Sequence, residues 1–300
     1  MKPNNEFTGM GKDFWAHVRS LSQTIGYTER GKGAIKVPTF TEIVDAMHRL
    51  TLSSAHLRMP DGRTASPDAM KLLGYLEYRA YVLNSIVQHQ LQTKEQAHAM
   101  YSRLNQAYPS FRAAAMNKQK GEKATVAYLT AMVNLLIEAN AQGVVYDHDP
   151  RQLTTVTRDG RPLRTLSRRV DGAFPSVVNP VAIWEIKEYY HTTTFGSRVA
   201  DGVYETLLDG MELEEMRKET GIDVQHVLIL DAHYTWWECG RSYLCRMIDM
   251  LHMGYVDEIL FGTEIESRIP SMVSEWITLL QQKSFKGVDA PRPHSGFGLI

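Results

Sequence analysis

The sequence predicts a mixed α/β (α+β) fold, with a central mixed β-sheet flanked by helices and a helical region ahead of it. Two patterns carry this. Helical and strand periods alternate from about residue 123 onward, whereas the first 120 residues show helical spacing broken by loops. Bulk properties agree: 300 residues at 43% apolar content, with aromatic residues throughout, suffice for one large or two modest domains with a real core.

In the N-terminal region, Thr41 reads as the cap of a helix running to Leu52. Ser66-Pro67-Asp68 opens a second helix bearing Leu72, Leu73, Leu76, Val82, Leu83, Ile86 and Val87, and Thr93 opens a third. Lys123 to Asn140 carries Val126, Leu129, Val133, Leu136 and Ile137 at helical spacing and stops at Ala141-Gln142-Gly143. Gln152 to Thr157 and Arg161 to Asp171 read as strands around Asp159-Gly160, a tight hairpin signal. Val181 to Lys187 is the next strand. A polar loop, Glu188 to Gly196, leads to a helix from about Ser197 to Glu219, whose expected buried stripe is Val199, Val203, Leu207, Leu208 and Met211. His226 to Asp231 is apolar on both faces, as a central strand should be. Gly240 to Met253 gives a helix and Val256 to Phe261 a strand. The expected order is helix, three strands, helix, strand, helix, strand. The expected divisions are a helical region over 1–120, a core over 121–285 and an irregular tail over 286–300, with the polar stretch Asn117–Lys123 as the boundary.

Three residues in this core carry chemistry. Side chains alternate along a strand, so Glu185 and Lys187 share one face, and Asp171 ends the preceding strand. Two carboxylates can hold Mg²⁺, which favours oxygen ligands, and a lysine beside them can orient or deprotonate a water or stabilise charge on a phosphate. The trio Asp171, Glu185 and Lys187 resembles the centre of the PD-(D/E)xK nuclease superfamily, with Val170 where that family usually has proline. The resemblance implies a restriction-endonuclease-like core. It implies Asp171 and Glu185 as metal ligands with the carbonyl of Ile186 completing the sphere, Lys187 at the attacking water, and Mg²⁺ as the cofactor, with Mn²⁺ substituting. It also suggests Glu138, on the first core helix, as a second metal or water ligand.

The implied activity is a Mg²⁺-dependent endodeoxyribonuclease cutting double-stranded DNA and leaving 5′-phosphates, most like a type II restriction enzyme acting as a homodimer. A repair, resolvase or phage-defence nuclease, or a non-catalytic DNA-binding module on the same scaffold, is the alternative. An ordinary ion pair between Glu185 and Lys187 at a strand end is the structural one.

Local charge adds to this. Six arginines between Arg151 and Arg169 face a single acid, Asp159. Arg158, Arg161, Arg164, Arg168 and Arg169 are therefore expected at phosphates. In the N-terminal region, Lys32 and Lys36 are expected at the backbone of DNA and Arg58 or Arg63 at guanine edges; a bundle that only packs on the core or forms a dimer interface is the other reading. Asp147-His148-Asp149 reads as a turn, His191 as a loop histidine, and Trp236 and Trp237 as core and surface anchors. Of Tyr189 and Tyr190, either could line the cleft, the second more ordinarily packing. Cys239 and Cys245 lack zinc or disulfide spacing. No stretch is long and apolar enough to span a bilayer, and there is no signal-peptide pattern, so a cytoplasmic protein without membrane attachment or a small-molecule cofactor is expected. No Walker loop, nucleophilic-serine motif or dinucleotide fingerprint is present.

Overall fold

A computed structural model of the chain describes residues 1–29, 31–110, 113–117, 124–191 and 196–285. The expected tail over 286–300, most of the Asn117–Lys123 boundary and positions 192–195 of the loop after Lys187 lie outside these residues. The fold is mixed α/β.

The N-terminal helices are α1 (Lys12–Ile25), α2 (Phe40–Arg49) and α3 (Pro67–Val82). Ser66 caps α3 by accepting from the Ala69 amide, with Pro67 at the first helical position as expected. The cap of α2 is Thr39, not Thr41: Thr39 and Glu42 form a reciprocal capping box, and Thr41 lies inside the helix. A π-helical turn (Leu83–Val87) and a short α4 (Gln88–Gln90) continue α3. Phe7, Trp15, Leu21, Ile43, Leu72 and Tyr75 form this region's own core. It is bolted to the rest through charge. Arg79 donates to both oxygens of Asp249 at 3.0 Å and to Ser22 Oγ at 2.9 Å, while Tyr75 donates to Asp249 at 2.6 Å, all of them buried.

Thr93 opens α5 (Lys94–Ala107) with a second capping box. This helix belongs with the core, not with the N-terminal region as expected, because Ala97, Met100 and Leu104 pack in one cluster with α6 (Tyr128–Asn140). α6 also starts five residues later than the periodicity implies, since Val126 pairs in a β-bridge with Met116.

The hairpin turns at Asp159-Gly160, both at positive φ, as its sequence requires. Its strands, β1 (Thr155–Arg158) and β2 (Arg161–Thr165), form a separate two-stranded sheet and do not join the central one. β2 stops at Thr165, so Asp171 does not end a strand; it immediately precedes β3 (Gly172–Phe174). β4 (Ala182–Glu188) pairs antiparallel with β3 and parallel with β5 (Gln225–Asp231), which pairs parallel with β6 (Glu258–Phe261). The central order is β3-β4-β5-β6.

Alternation along β4 sorts its side chains between two cores. Trp184 and Ile186 face α6 and α9 (Glu264–Phe285), where Trp184 stacks on Trp276 with centroids 5.5 Å apart. Ile183, Glu185 and Lys187 face the other side, covered by α7 (Ser197–Thr220), with α8 (Arg241–His252) beside it over β5 and β6. A π-helical turn, Tyr234–Cys239, buries both Trp236 and Trp237 before α8, so neither is a surface anchor. Among the described residues, no helix is long and apolar enough to cross a membrane.

Candidate active site

Backbone hydrogen bonds bring Asp171 to β4. Its amide donates to the Trp184 carbonyl at 3.2 Å, and its Oδ2 accepts the Ile186 amide at 2.8 Å, so the carboxylate lies against the strand between Glu185 and Lys187. Gly172 permits this approach, because a Cβ there would stand 2.1 Å from the Trp184 ring. The expected trio is thus gathered at one point.

Helix α7 closes over it. A Cβ at Gly202 would lie 3.2 Å from the Tyr189 hydroxyl and 3.3 Å from Lys187 Cδ, and one at Gly210 would lie 2.3 Å from the Tyr255 carbonyl oxygen. These glycines, with buried Thr206 between them, let the helix approach closely enough to add Glu205 and Asp209 to the site. Lys187 Nζ donates to Glu185 Oε2 at 2.9 Å and to Glu205 Oε2 at 2.8 Å. Arg168 spans the cluster: Nη2 donates to Glu185 Oε2 at 3.1 Å and to Glu205 at 3.3 Å, and Nη1 donates to Asp209 Oδ2 at 2.5 Å. Glu185 and Asp209 are wholly buried.

Protonation follows from these contacts. Burial pushes the Glu185 carboxyl up, but Lys187 and Arg168 together hold it below its ordinary value. Burial works against the Lys187 ammonium, and Glu185 and Glu205 outweigh it, raising its pKa. In this cluster Lys187 is therefore held in its charged form, as a hydrogen-bond donor to both carboxylates. Burial first, then Glu185, pushes Asp209 up to about 7.

The donor set suits a divalent cation in kind and charge. Hard carboxylate oxygens are what Mg²⁺ selects. Four carboxylates, Asp171, Glu185, Glu205 and Asp209, face two cations, Arg168 and Lys187, and when all are ionised the cluster is two positive charges short. Two buried oxygens, Glu185 Oε1 and Asp209 Oδ1, have no hydrogen-bond donor; Glu185 Oε1 lies 3.0 Å from Arg168 Nη1, in ion-pair contact but outside hydrogen-bond alignment. Among the described residues, no three His, Cys, Asp or Glu side chains converge as a ready cage. Arg168 and Lys187 stand between the carboxylates.

Other expected residues lie elsewhere. Glu138 is not at the centre: α6 covers the opposite face of the sheet, and Glu138 accepts from Ser110 Oγ at 2.6 Å beside a cavity that Asn134 and His148 also line. Arg168 turns inward instead of presenting itself to a ligand. Arg164 is paired with Glu215 at 2.5 Å, and Arg158 donates to the Thr220 carbonyl at 3.0 Å. Arg161 and Arg169 are exposed. In the N-terminal loops, Lys32 pairs with Glu29 at 2.9 Å and Lys36 with Glu42 at 2.5 Å. Arg58 donates to the Gly62 carbonyl at 2.5 Å, and Arg63 is exposed. Asp147 does not sit in a turn as expected: it pairs in an antiparallel β-bridge with Ala173 and accepts the Val177 amide, and the chain bends at His148 and Asp149, where Asp149 pairs with Arg151. Tyr190 packs and donates to Asp231 at 2.5 Å, while the Tyr189 hydroxyl lies near Lys187.

Sequence reasoning missed Glu205 and Asp209. Their signal was two acids four residues apart, between two glycines eight apart, which puts all four on adjoining strips of one helix.

A family model described as Domain of unknown function (DUF7687) matches residues 92–276, and a second, Domain of unknown function (DUF7690), matches residues 1–86. No curated protein and no solved structure matches the chain.

Proposed function

This chain belongs to the family described as Domain of unknown function (DUF7687), and we propose that it is a Mg²⁺-dependent endonuclease that hydrolyses phosphodiester bonds in double-stranded DNA. The observation that carries the reading is the meeting of Asp171, Glu185 and a charged Lys187 on one edge of β4, in a cluster short of positive charge. Asp171 and Glu185 are the ligands, with the Ile186 carbonyl beside them. The bound cation supplies a Lewis acid for the phosphate and lowers the pKa of a coordinated water.

The chain's own groups do the rest. Lys187 donates hydrogen bonds and so orients the water or stabilises charge that builds on the phosphate. Glu205, partly exposed, holds the Lys187 ammonium from the α7 side. Exposed Arg161 and Arg169 are the phosphate contacts of the hairpin side. Cutting at a specific sequence as a homodimer, in the manner of a type II restriction enzyme, rests on the resemblance of the Asp171, Glu185 and Lys187 motif.

A second reading has a specific observation in its favour. Glu185 already holds two cations, so the cluster could be a structural ion-pair network with no turnover. Asp171→Ala, Glu185→Ala and Lys187→Ala, assayed on an end-labelled duplex with Mg²⁺, separate the two. The nuclease reading expects each to abolish cleavage while duplex binding, measured in Ca²⁺, persists. Cleavage retained by all three variants would remove the centre from the chemistry.

A further inference from the structure

We infer that Arg168 is the internal counter-cation of the carboxylate cluster, and that a divalent cation binds by displacing it from Glu185 and Asp209. The inference rests on the metal-dependent reading above and adds to it a residue that competes with the metal.

Three observations lead here. First, Glu185 and Asp209 are wholly buried, and the Arg168 guanidinium is what joins them, at 3.0 Å and 2.5 Å. Buried carboxylates without a compensating charge are strongly disfavoured, so some cation must stand there. Second, each of these carboxylates keeps one buried oxygen, Glu185 Oε1 and Asp209 Oδ1, without a hydrogen-bond donor. A guanidinium satisfies its carboxylates through fixed N–H directions, and here Asp209 Oδ1 has no donor while Glu185 Oε1 has only the off-axis ion-pair contact with Arg168 at 3.0 Å; a spherical ion has no such restriction.

Third, the two cations differ in how they are held. Lys187 is part of the central strand and lies under Gly202 of α7, with its side chain 7% exposed. Arg168 comes from the irregular segment between β2 and β3, and its side chain is 23% exposed. Arg168, partly exposed on an irregular segment, has a path to water, whereas Lys187 is enclosed between β4 and α7. Displacement of Arg168 leaves Asp171, Glu185, Glu205 and Asp209 against Lys187 and a divalent ion, which is closer to neutrality than the same cluster holding Arg168. The apparent metal affinity is then reduced by the fraction of molecules in which Arg168 occupies the carboxylates.

The test is a titration of the full chain with Mn²⁺, following the free ion by its paramagnetic resonance signal, for wild type, Arg168→Met and Arg168→Lys. Removing the competitor is expected to tighten Mn²⁺ binding about tenfold in Arg168→Met. Arg168→Lys keeps the charge but loses the two-pronged grip, and is expected to gain about threefold. It also serves if the methionine variant fails to fold. Affinity equal to or weaker than wild type in the variants that fold, or no Mn²⁺ uptake by any of the three proteins, overturns the inference. DNA cleavage is scored separately. Cleavage by wild type with unchanged Mn²⁺ affinity in the variants removes the role of Arg168 and leaves the nuclease reading standing. Tightened Mn²⁺ binding with no cleavage of duplex DNA does the reverse.

Discussion

Replacing Lys187 with methionine deletes an ammonium that is buried between two carboxylates, 2.9 Å from Glu185 and 2.8 Å from Glu205, while keeping most of the side chain's volume. Breaking a buried ion pair by removing one partner costs about 3–5 kcal/mol when the survivor is left alone. Glu185 is not left alone, since Arg168 stays at 3.0 Å, and Glu205, 41% exposed, can be hydrated. The expected loss is therefore smaller, about 2–3 kcal/mol. Urea unfolding in EDTA followed by circular dichroism measures it, with the double variant Glu185→Gln, Lys187→Met completing a cycle. The double variant no longer buries an unmatched charge on Glu185, so it should be more stable than the sum of the single losses implies, by about 1–3 kcal/mol. A Lys187→Met protein within about 0.5 kcal/mol of wild type, the range of an ordinary surface change, would refute the electrostatic argument.

Three further outcomes are expected. Arg79→Met should destabilise the protein by about 3–5 kcal/mol, because it strands Asp249 among buried groups, and Asp249→Asn should cost less; equal stability of Arg79→Met and wild type in urea would show that this network does not join the N-terminal helices to α8. Burial pushes Asp231 up to about 7, with Glu188 and Tyr190 beside it and the Gln92 and Ala232 amides bonded to it. The folded state thus holds a proton that the unfolded chain releases near pH 4, so stability falls as pH rises from about 4 to about 7. Asp231→Asn should flatten that decline, and an unchanged melting-temperature profile across pH 5–8 would contradict the assignment. For nucleic acid, Arg161→Ala with Arg169→Ala should weaken duplex binding and lower the slope of log K against log salt by about 0.9 for each phosphate that is no longer neutralised, whereas an unchanged slope would remove both residues from the interface.

The sequence made local features legible wherever the signal was local. Ser66-Pro67, Thr93 and Asp159-Gly160 each carry their own turn or cap chemistry, and each appears as expected. The error at Thr41 was avoidable, since Thr39 with Glu42 already spells a capping box. β5 was readable because both of its faces are apolar. What failed was tertiary. Of the stripe that hydropathy gives for α7, Val199, Val203, Leu207, Leu208 and Met211, the first two are buried, but Leu208 and Met211 are 43% and 51% exposed, whereas Asp209 is fully buried. Arg168, distant in sequence, pairs with it there, and no period in α7 announces that. The same pairing explains the arginines. A run of positive charge looked like a phosphate grip, yet Arg164 and Arg168 are matched by acids of α7, more than thirty residues further along. The expectation that β1 and β2 join the core sheet failed because hairpin chemistry fixes a pairing but not the sheet it joins. Helix α9, with Pro270 inside it, and α1, which starts without a side-chain cap, gave no boundary signal that was read.

Asp171, Glu185 and Lys187 are legible in the sequence through strand alternation, carboxylate chemistry and the resemblance of their pattern to a known nuclease motif, and their convergence is the part of the site that local sequence encodes: two of them are alternate residues of one strand, and the third precedes the strand's antiparallel neighbour. The central claim, that this convergence hydrolyses DNA, is tested most directly by incubating the purified chain with long duplex DNA in Mg²⁺ or in EDTA, beside Lys187→Met, and resolving the products by electrophoresis. The account predicts Mg²⁺-dependent fragments bearing 5′-phosphates, with EDTA and Lys187→Met leaving the DNA intact; intact DNA with the wild-type protein in Mg²⁺, or equal cutting by Lys187→Met, would contradict it.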